Sequence, residues 1–480
     1  MKLSFADGFN QSGSLPSMNR QCTNWYPKFV EDGDVVLKRL LGTPGLSQLN
    51  AGSAFPNRGS HVMAGTPYYV DGITLFRLNS DFTATDLSTI DSVNITGSGQ
   101  VAMADNGIQL MILVPGGSGF IFNKDTALLE TITDLDFTAN GLPQTVFFID
   151  SFFMVTTDSK KFVISSVNDG TSWNALDFGT AESDPDIIVG GTNFKNEAYI
   201  GGSETFESFD NIGGVDFPFQ RNGLFLDKGL FGRFSIVNTS DTFMFIGGGA
   251  NEDPSIWSIQ GNSLIRISNT GIDLILNGLT TTELDQVTGF TYAQDHSTFA
   301  VWTLPGEAIV YGVDTGKWHK RQSQVPDIAG NINTTGWRAT ALITAYDKVI
   351  CFDTQDGRVG EVSRDFFDEY GTEIQREFDA SPLRNEKASF SVPRLEVTME
   401  AGVGDATTIA PKIRMKASRD AKTFTGERSR DVGAQGKFSK RTVFRRNGRF
   451  KQYALFRFLF SEPVKPVVIS VDAEIIGGRV

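Results

Sequence analysis

The sequence predicts an all-β fold: a β-propeller of about seven blades, with an N-terminal arm and a C-terminal β-sandwich-like domain. Three observations carry this. A degenerate unit of roughly 45 residues recurs along the chain, close to the period of a four-stranded blade. Fifty glycines and 39 phenylalanines stand against 17 prolines, the mixture of turn formers and flat rings that suits short strands joined by tight turns. The strongest apolar runs, Leu110-Met111-Ile112-Leu113-Val114 and Phe243-Met244-Phe245-Ile246, are strand-sized, lack alternation as strands covered on both faces do, and read as the inner strand of their units.

Residues 1–55 read as an arm. Trp25, Tyr26 and Pro27 sit among polar residues, and Gly42-Thr43-Pro44-Gly45 forms a turn; such an arm wraps a neighbour or closes a ring. Residues 56–364 hold the repeats, with units beginning near Gly59, Gly99, Pro143, Asp186, Gly232, Gln286 and Gly336. The glycines that follow the apolar runs, Gly116-Gly117, Gly201-Gly202 and Gly247-Gly248-Gly249, let the chain turn tightly. An irregular two-sheet sandwich is the competing arrangement. Residues 365–390 are a polar linker with the chain's strongest, though weak, helix signal. From 391 to 480 strands alternate clearly, as in Arg394-Leu395-Glu396-Val397-Thr398-Met399, which fits a separate domain with one solvated face.

Charge is unevenly spread. Residues 391–480 carry 18 Lys and Arg against 9 Asp and Glu, a balance of +9, and residues 1–390 carry 25 against 47, a balance of −22. An acidic body repels nucleic acid, whereas a basic domain seeks an acidic surface. The opening residues lack the apolar stretch of a signal peptide and no window reaches 18 apolar residues, so a soluble, non-exported protein is expected. Two cysteines, Cys22 and Cys351, make no disulfide framework and read as buried thiols.

Nothing in the sequence marks an enzyme, a metal site or a cofactor. His61, His296 and His319 lie in different units without metal-ligand spacing and read as surface residues. No GxSxG elbow occurs, and the glycine clusters never lead into a phosphate-binding helix. Ser166-Val167-Asn168-Asp169-Gly170-Thr171-Ser172-Trp173 resembles the Asp-box of sialidase-type propellers, a structural clip. It motivates a rival reading, a glycan-binding or glycan-cleaving propeller, which would need two carboxylates about 5–10 Å apart across a cleft. The sharpest charge feature is the run from 437 to 451, with Lys437, Lys440, Arg441, Arg445, Arg446, Arg449 and Lys451, no acidic residue, and interleaved aromatics. Three readings stay open: a protein interface, a DNA contact or a solvated face. Asn447-Gly448 reads as a hairpin turn that sets these charges on paired strands.

Asn24-Trp25-Tyr26-Pro27 and Leu41-Gly42-Thr43-Pro44-Gly45-Leu46 resemble the opening of tail proteins from short-tailed bacteriophages. Pro185-Asp186-Ile187-Ile188-Val189-Gly190 with Phe206-Glu207-Ser208-Phe209 is similar to a segment of the packaged-DNA stabilisation family. Arg394-Leu395-Glu396-Val397, Ser418-Arg419-Asp420 and Phe444-Arg445-Arg446-Asn447-Gly448-Arg449 resemble that family's final domain, with Phe444 in place of a Trp. The resemblance implies a non-catalytic tail hub, or nozzle. Six copies would form a ring below the portal and its adaptor, continue the DNA channel and help retain packaged DNA without sequence-specific binding. Tailspike or fibre and tail needle or tip proteins would attach nearby, in a virion tail assembled in the host cytoplasm.

Overall fold

The computed structural model describes residues 1–14, 19–29, 38–89, 92–181, 186–214, 217–327, 329–385, 388–404 and 407–478. Parts of the arm (15–18 and 30–37), linker residues 386–387 and Pro185 of the resemblance lie outside the described residues. Seven antiparallel sheets follow one another at the seven expected positions. Blade one is Asn57–Met63, Thr66–Asp71, Thr74–Leu78 and Ala84–Asp86; blade two runs from Ala102–Asp105 to Leu128–Thr131 and blade three from Pro143–Ile149 to Asp169–Thr180. Blades four, five and six span 188–226, 229–266 and 288–326.

The seventh blade has only three strands of its own, Ala339–Ala345, Lys348–Asp353 and Val359–Ser363. Its fourth is Gly45–Asn50 from the arm, antiparallel to Val359–Ser363. The arm therefore closes the ring. It does more: Cys22–Thr23 sits between Lys317–Pro326 of blade six and Arg376–Asp379, while Lys38–Gly42 joins Val467–Gly477 of the C-terminal domain. One stretch of chain belongs to three sheets.

The apolar runs are not the strands at the axis. Gln109–Leu113 and Phe243–Gly248 stand second in their blades, where adjoining blades cover both faces, and Leu110 to Leu113 and Phe243 to Ile246 are buried. The strands nearest the axis alternate instead: Ala102 and Ala104 are buried, Met103 and Asp105 half-buried.

Residues 365–390 contain no helix among those described. They form short strands, and Arg376–Asp379 and Leu383–Arg384 are captured by Tyr453–Phe460 of the C-terminal domain; sheet pairing overrides a weak local preference. The helices lie elsewhere, at Thr270–Asn277 and Thr281–Asp285, capped by Asn269 and by a Thr280/Glu283 capping box. None among the described residues is long and apolar enough to cross a membrane.

In the C-terminal domain Phe390–Met399 buries Leu395, Val397 and Met399 and turns Arg394 and Glu396 outward, as the alternation predicts. Its core continues into the propeller. Trp25, Phe444, Phe456, Phe458 and Val471 share one hydrophobic cluster with Met244, Ile256, Trp302 and Trp318 of blades five and six. Cys22 and Cys351 are buried free thiols, pushed up by burial.

Blade one carries a pH signature. Burial pushes the Asp71 carboxyl up to about 6 from 3.8, although Asn57 Nδ2 and Ser53 Oγ each donate to it at 3.0 Å. Between these values the folded chain holds a proton that the unfolded chain has lost. The group's stabilisation is thus complete below pH ~4 and disappears as pH rises through about 6. In thermal melts from pH 4 to 7, Asp71→Asn should flatten this decline in Tm; an unchanged slope would assign the proton to another group.

Candidate interaction surface

The Asp-box lies in the hairpin joining the last two strands of blade three. Asp169 Oδ1 accepts from Thr171 N at 3.0 Å and Thr171 Oγ1 at 2.7 Å, while Gly170 N donates to Gln109 Oε1 of blade two at 2.8 Å. Trp173 Nε1 closes the turn on Gly170 O at 2.9 Å, and the ring packs on Phe137 at 4.8 Å. The box clips blade to blade.

The histidines differ from the expected surface residues. His296 is exposed in a turn, but His61 Nε2 meets Asp105 Oδ2 at 2.6 Å, and His319 is fully buried between Tyr26 and Phe299. Burial pulls His319 down to about 3, the Arg321 charge adding to it. Apolar neighbours from the arm and blade six made this burial invisible locally. Among the described residues no group of three His, Cys, Asp or Glu could hold a metal ion.

The first strands of the blades converge on a central cavity. Met103, Thr145, Thr192, Ile236, Phe290 and Ile343 surround a cavity of about 410 Å³. Arg233 stands at its border with a wider mouth of about 600 Å³. Its guanidinium donates to Gln144 Oε1 of blade three and, through Nε and Nη2, to the Asp285 carboxylate at 2.8 and 2.7 Å. Duplex DNA, whose major groove alone is about 12 Å wide and 8.5 Å deep, is too large for a cavity of about 410 Å³.

The basic run divides into two populations. Lys440 Nζ pairs with Asp431 at 2.9 Å, and Arg441 grips Glu396 through Nε and Nη2 at 2.6 and 2.8 Å, hydrogen bonds that hold the Glu396 carboxyl below its usual range. Lys437 is exposed near them. Arg445, Arg446, Arg449 and Lys451 lie along the other part of the same sheet edge, without a carboxylate at ion-pair distance among the described residues.

Asn447-Gly448 is not a hairpin turn. Thr442–Arg445 and Arg449–Phe450 both pair with Phe390–Met399, one after the other. Between them 446–448 oppose only Val392 and Pro393, a bulge with one extra residue. Pro393 has no N–H for the ladder. Its carbonyl accepts Arg446 N at 2.8 Å, and the excess is absorbed by left-handed Arg446 (φ +57°) and Gly448 (φ +106°). Asn447 turns inward and donates to Phe444 O at 3.0 Å. The edge carbonyls are covered: Arg428 Nη2 donates to Arg445 O at 2.5 Å and Arg430 Nε to Val443 O at 3.2 Å.

Beside the bulge opens a cleft of about 1060 Å³ whose walls include Arg384, Arg419, Arg449 and Lys451. Arg449 is steadied by Ser389 Oγ, which accepts from Nε at 3.1 Å and Nη2 at 2.6 Å.

A second constellation had no signal in local sequence. Where the arm turns at Gly42-Thr43-Pro44-Gly45, Arg321 Nη2 donates to Pro44 O at 3.0 Å and Arg376 Nη2 to Phe367 O at 3.2 Å. Arg321 lies 3.3 Å from the Trp337 ring centroid, and both guanidinia are fully buried. Buried Glu369 faces Arg321 and Arg338, its carboxyl raised by desolvation against their opposing charges. Desolvation lowers Arg376 to about 9. Charged residues inside strands read as solvated until the fold assembles blade six, the arm and residues 366–376 around them.

Residues 29–366 match the family described as Bacteriophage P22 Gp10, beta-propeller, and residues 375–475 match that described as Bacteriophage P22 Gp10, beta-sandwich. The tail hub protein gp10 of Salmonella phage P22 is 22% identical over 281 residues, 58% of this chain and 58% of that protein. The aligned part thus spans little more than half of this curated relative. Among solved structures, a chain of the mitotic checkpoint complex is 11% identical with a TM-score of 0.41, covering 70% of this chain and 96% of its own. The WD40 β-propeller domain of Doa1 is 11% identical with a TM-score of 0.39, covering 67% and 97%.

Proposed function

The chain belongs to the Bacteriophage P22 Gp10 family, and on that premise we propose that it is a structural, non-enzymatic tail hub subunit of a short-tailed phage. Several copies, six by analogy with the family, form a ring below the portal and its adaptor. The ring continues the DNA channel, helps to retain packaged DNA, and takes part in genome ejection from the virion tail. Tailspike or fibre and needle or tip proteins attach to it. Assembly takes place in the host cytoplasm.

The observation that carries the ring is the small axial cavity of about 410 Å³, braced by Arg233. A single propeller offers no route for a duplex, so a conduit needs a lumen bounded by several copies. The −22 balance of residues 1–390 suits such a wall, because like charge repels a polymer with one negative charge per ~1.7 Å of axis. Electron microscopy of the purified protein and of virions should show a closed ring with a central channel wide enough to pass a DNA duplex. A strictly monomeric protein, absent from the tail, would overturn the proposal.

A further inference from the structure

We infer that the basic cleft beside the 446–448 bulge docks the acidic propeller surface of a second copy of this chain; this rests on the ring-forming reading above. Three of the cleft's cations have no carboxylate partner beside them. Among the described residues no carboxylate reaches ion-pair distance of Arg419, Arg449 or Lys451. Asp420, the acidic residue in the wall, is committed to its own turn: its oxygens accept from Ser418 Oγ at 3.0 Å, Lys422 N at 2.9 Å, and Thr423 N and Oγ1 at 2.7 Å each. These bonds hold its carboxyl well below the usual range. Four basic residues against this one carboxylate leave the concave wall with a net positive field that attracts an anion.

The shape selects the kind of anion. Phe450 and Tyr453 are buried in the wall and offer no ring face on which bases could stack. Exposed Phe438 lies near Gly402, at the opposite end of the Phe390–Met399 strand, roughly 30 Å away at 3.3 Å per residue. Stacked single-stranded bases thus have no platform here, and the anion we infer is a protein carboxylate cluster.

Charge selects the protein. Residues 1–390 carry −22 and residues 391–480 carry +9, yet Lys440 and Arg441 discharge on Asp431 and Glu396 of their own domain. A basic patch on one copy meeting an acidic patch on the next is a head-to-tail contact, the kind that closes into rings.

The test compares wild type with Arg419→Glu/Arg449→Glu/Lys451→Glu and with the milder Gln triple variant. Sedimentation measures assembly, and zero-length carboxylate–amine cross-linking of mixed ¹⁴N and ¹⁵N chains identifies the contact. With melting unchanged, either variant should weaken assembly at least ~10-fold. Wild-type Lys451 should cross-link to Asp or Glu of residues 1–390 on the other isotopic chain. Variants that assemble like wild type, or Lys451 cross-links confined to 391–480, would overturn the cleft assignment while leaving the ring intact. Wild type monomeric at every concentration would overturn the ring itself. Duplex DNA binding lost in the variants, with assembly preserved, would reassign the cleft to DNA.

Discussion

Arg321→Met should destabilise the protein by about 3–5 kcal/mol, the usual consequence of removing one member of a buried charged set. The guanidinium is fully buried, packed on Trp337, and bonded to Pro44 O at 3.0 Å. Its loss leaves Glu369, also buried, without the first of its opposing charges and frees the arm's turn. The double variant Arg321→Met/Glu369→Leu should recover most of the loss, because apolar replacements of similar volume remove the desolvation penalty of both partners. Chemical denaturation with a double-mutant cycle measures the coupling. Additive single losses would show that the two charges do not act as a pair.

Gly45→Val should open the seam of the ring. A Cβ at Gly45 would lie 2.2 Å from Asp368 O and 2.7 Å from Phe366 O. These are backbone atoms, which no rotamer change can move aside. Overpacking ordinarily costs about 1–3 kcal/mol, and here relief requires withdrawing Gly45–Asn50 from Val359–Ser363, so the loss should reach or exceed the upper figure. Limited proteolysis should then cut between 45 and 55 at a concentration that leaves the parent intact. A resistant variant with parental melting would mean that the strand has re-registered without leaving the blade.

The fold was legible where its determinants are local. Seven unit starts, the apolar runs and the Arg394 to Met399 alternation each follow from residues adjacent in sequence. Closure of the ring by the arm was one of two readings its sequence offered, but its strand partners were not legible, because Thr23 pairs with Lys320 and Leu46 with Val362, about 300 residues away. The 446–448 bulge was hidden for the same reason: Asn447-Gly448 has hairpin chemistry, and only the opposed Pro393, in a strand not adjacent in sequence, makes it a bulge. The short helices had usable signals in Asn269, in Ile272 and Leu276 on one face, and in the Thr280/Glu283 pair, but the strand rhythm around them dominated. At the basic run, sequence supplied the cations and only the fold could sort Lys440 and Arg441, already paired, from Arg449 and Lys451 at the cleft.

The arm also has a mechanical meaning. Lys38–Gly42 is bonded into the C-terminal domain and Gly45–Asn50 into the last blade, with two residues between them. A pull on that domain therefore reaches the first residue of the closing strand through Thr43 and Pro44 alone, so its ladder to Val359–Ser363 takes up load applied to the neighbouring domain.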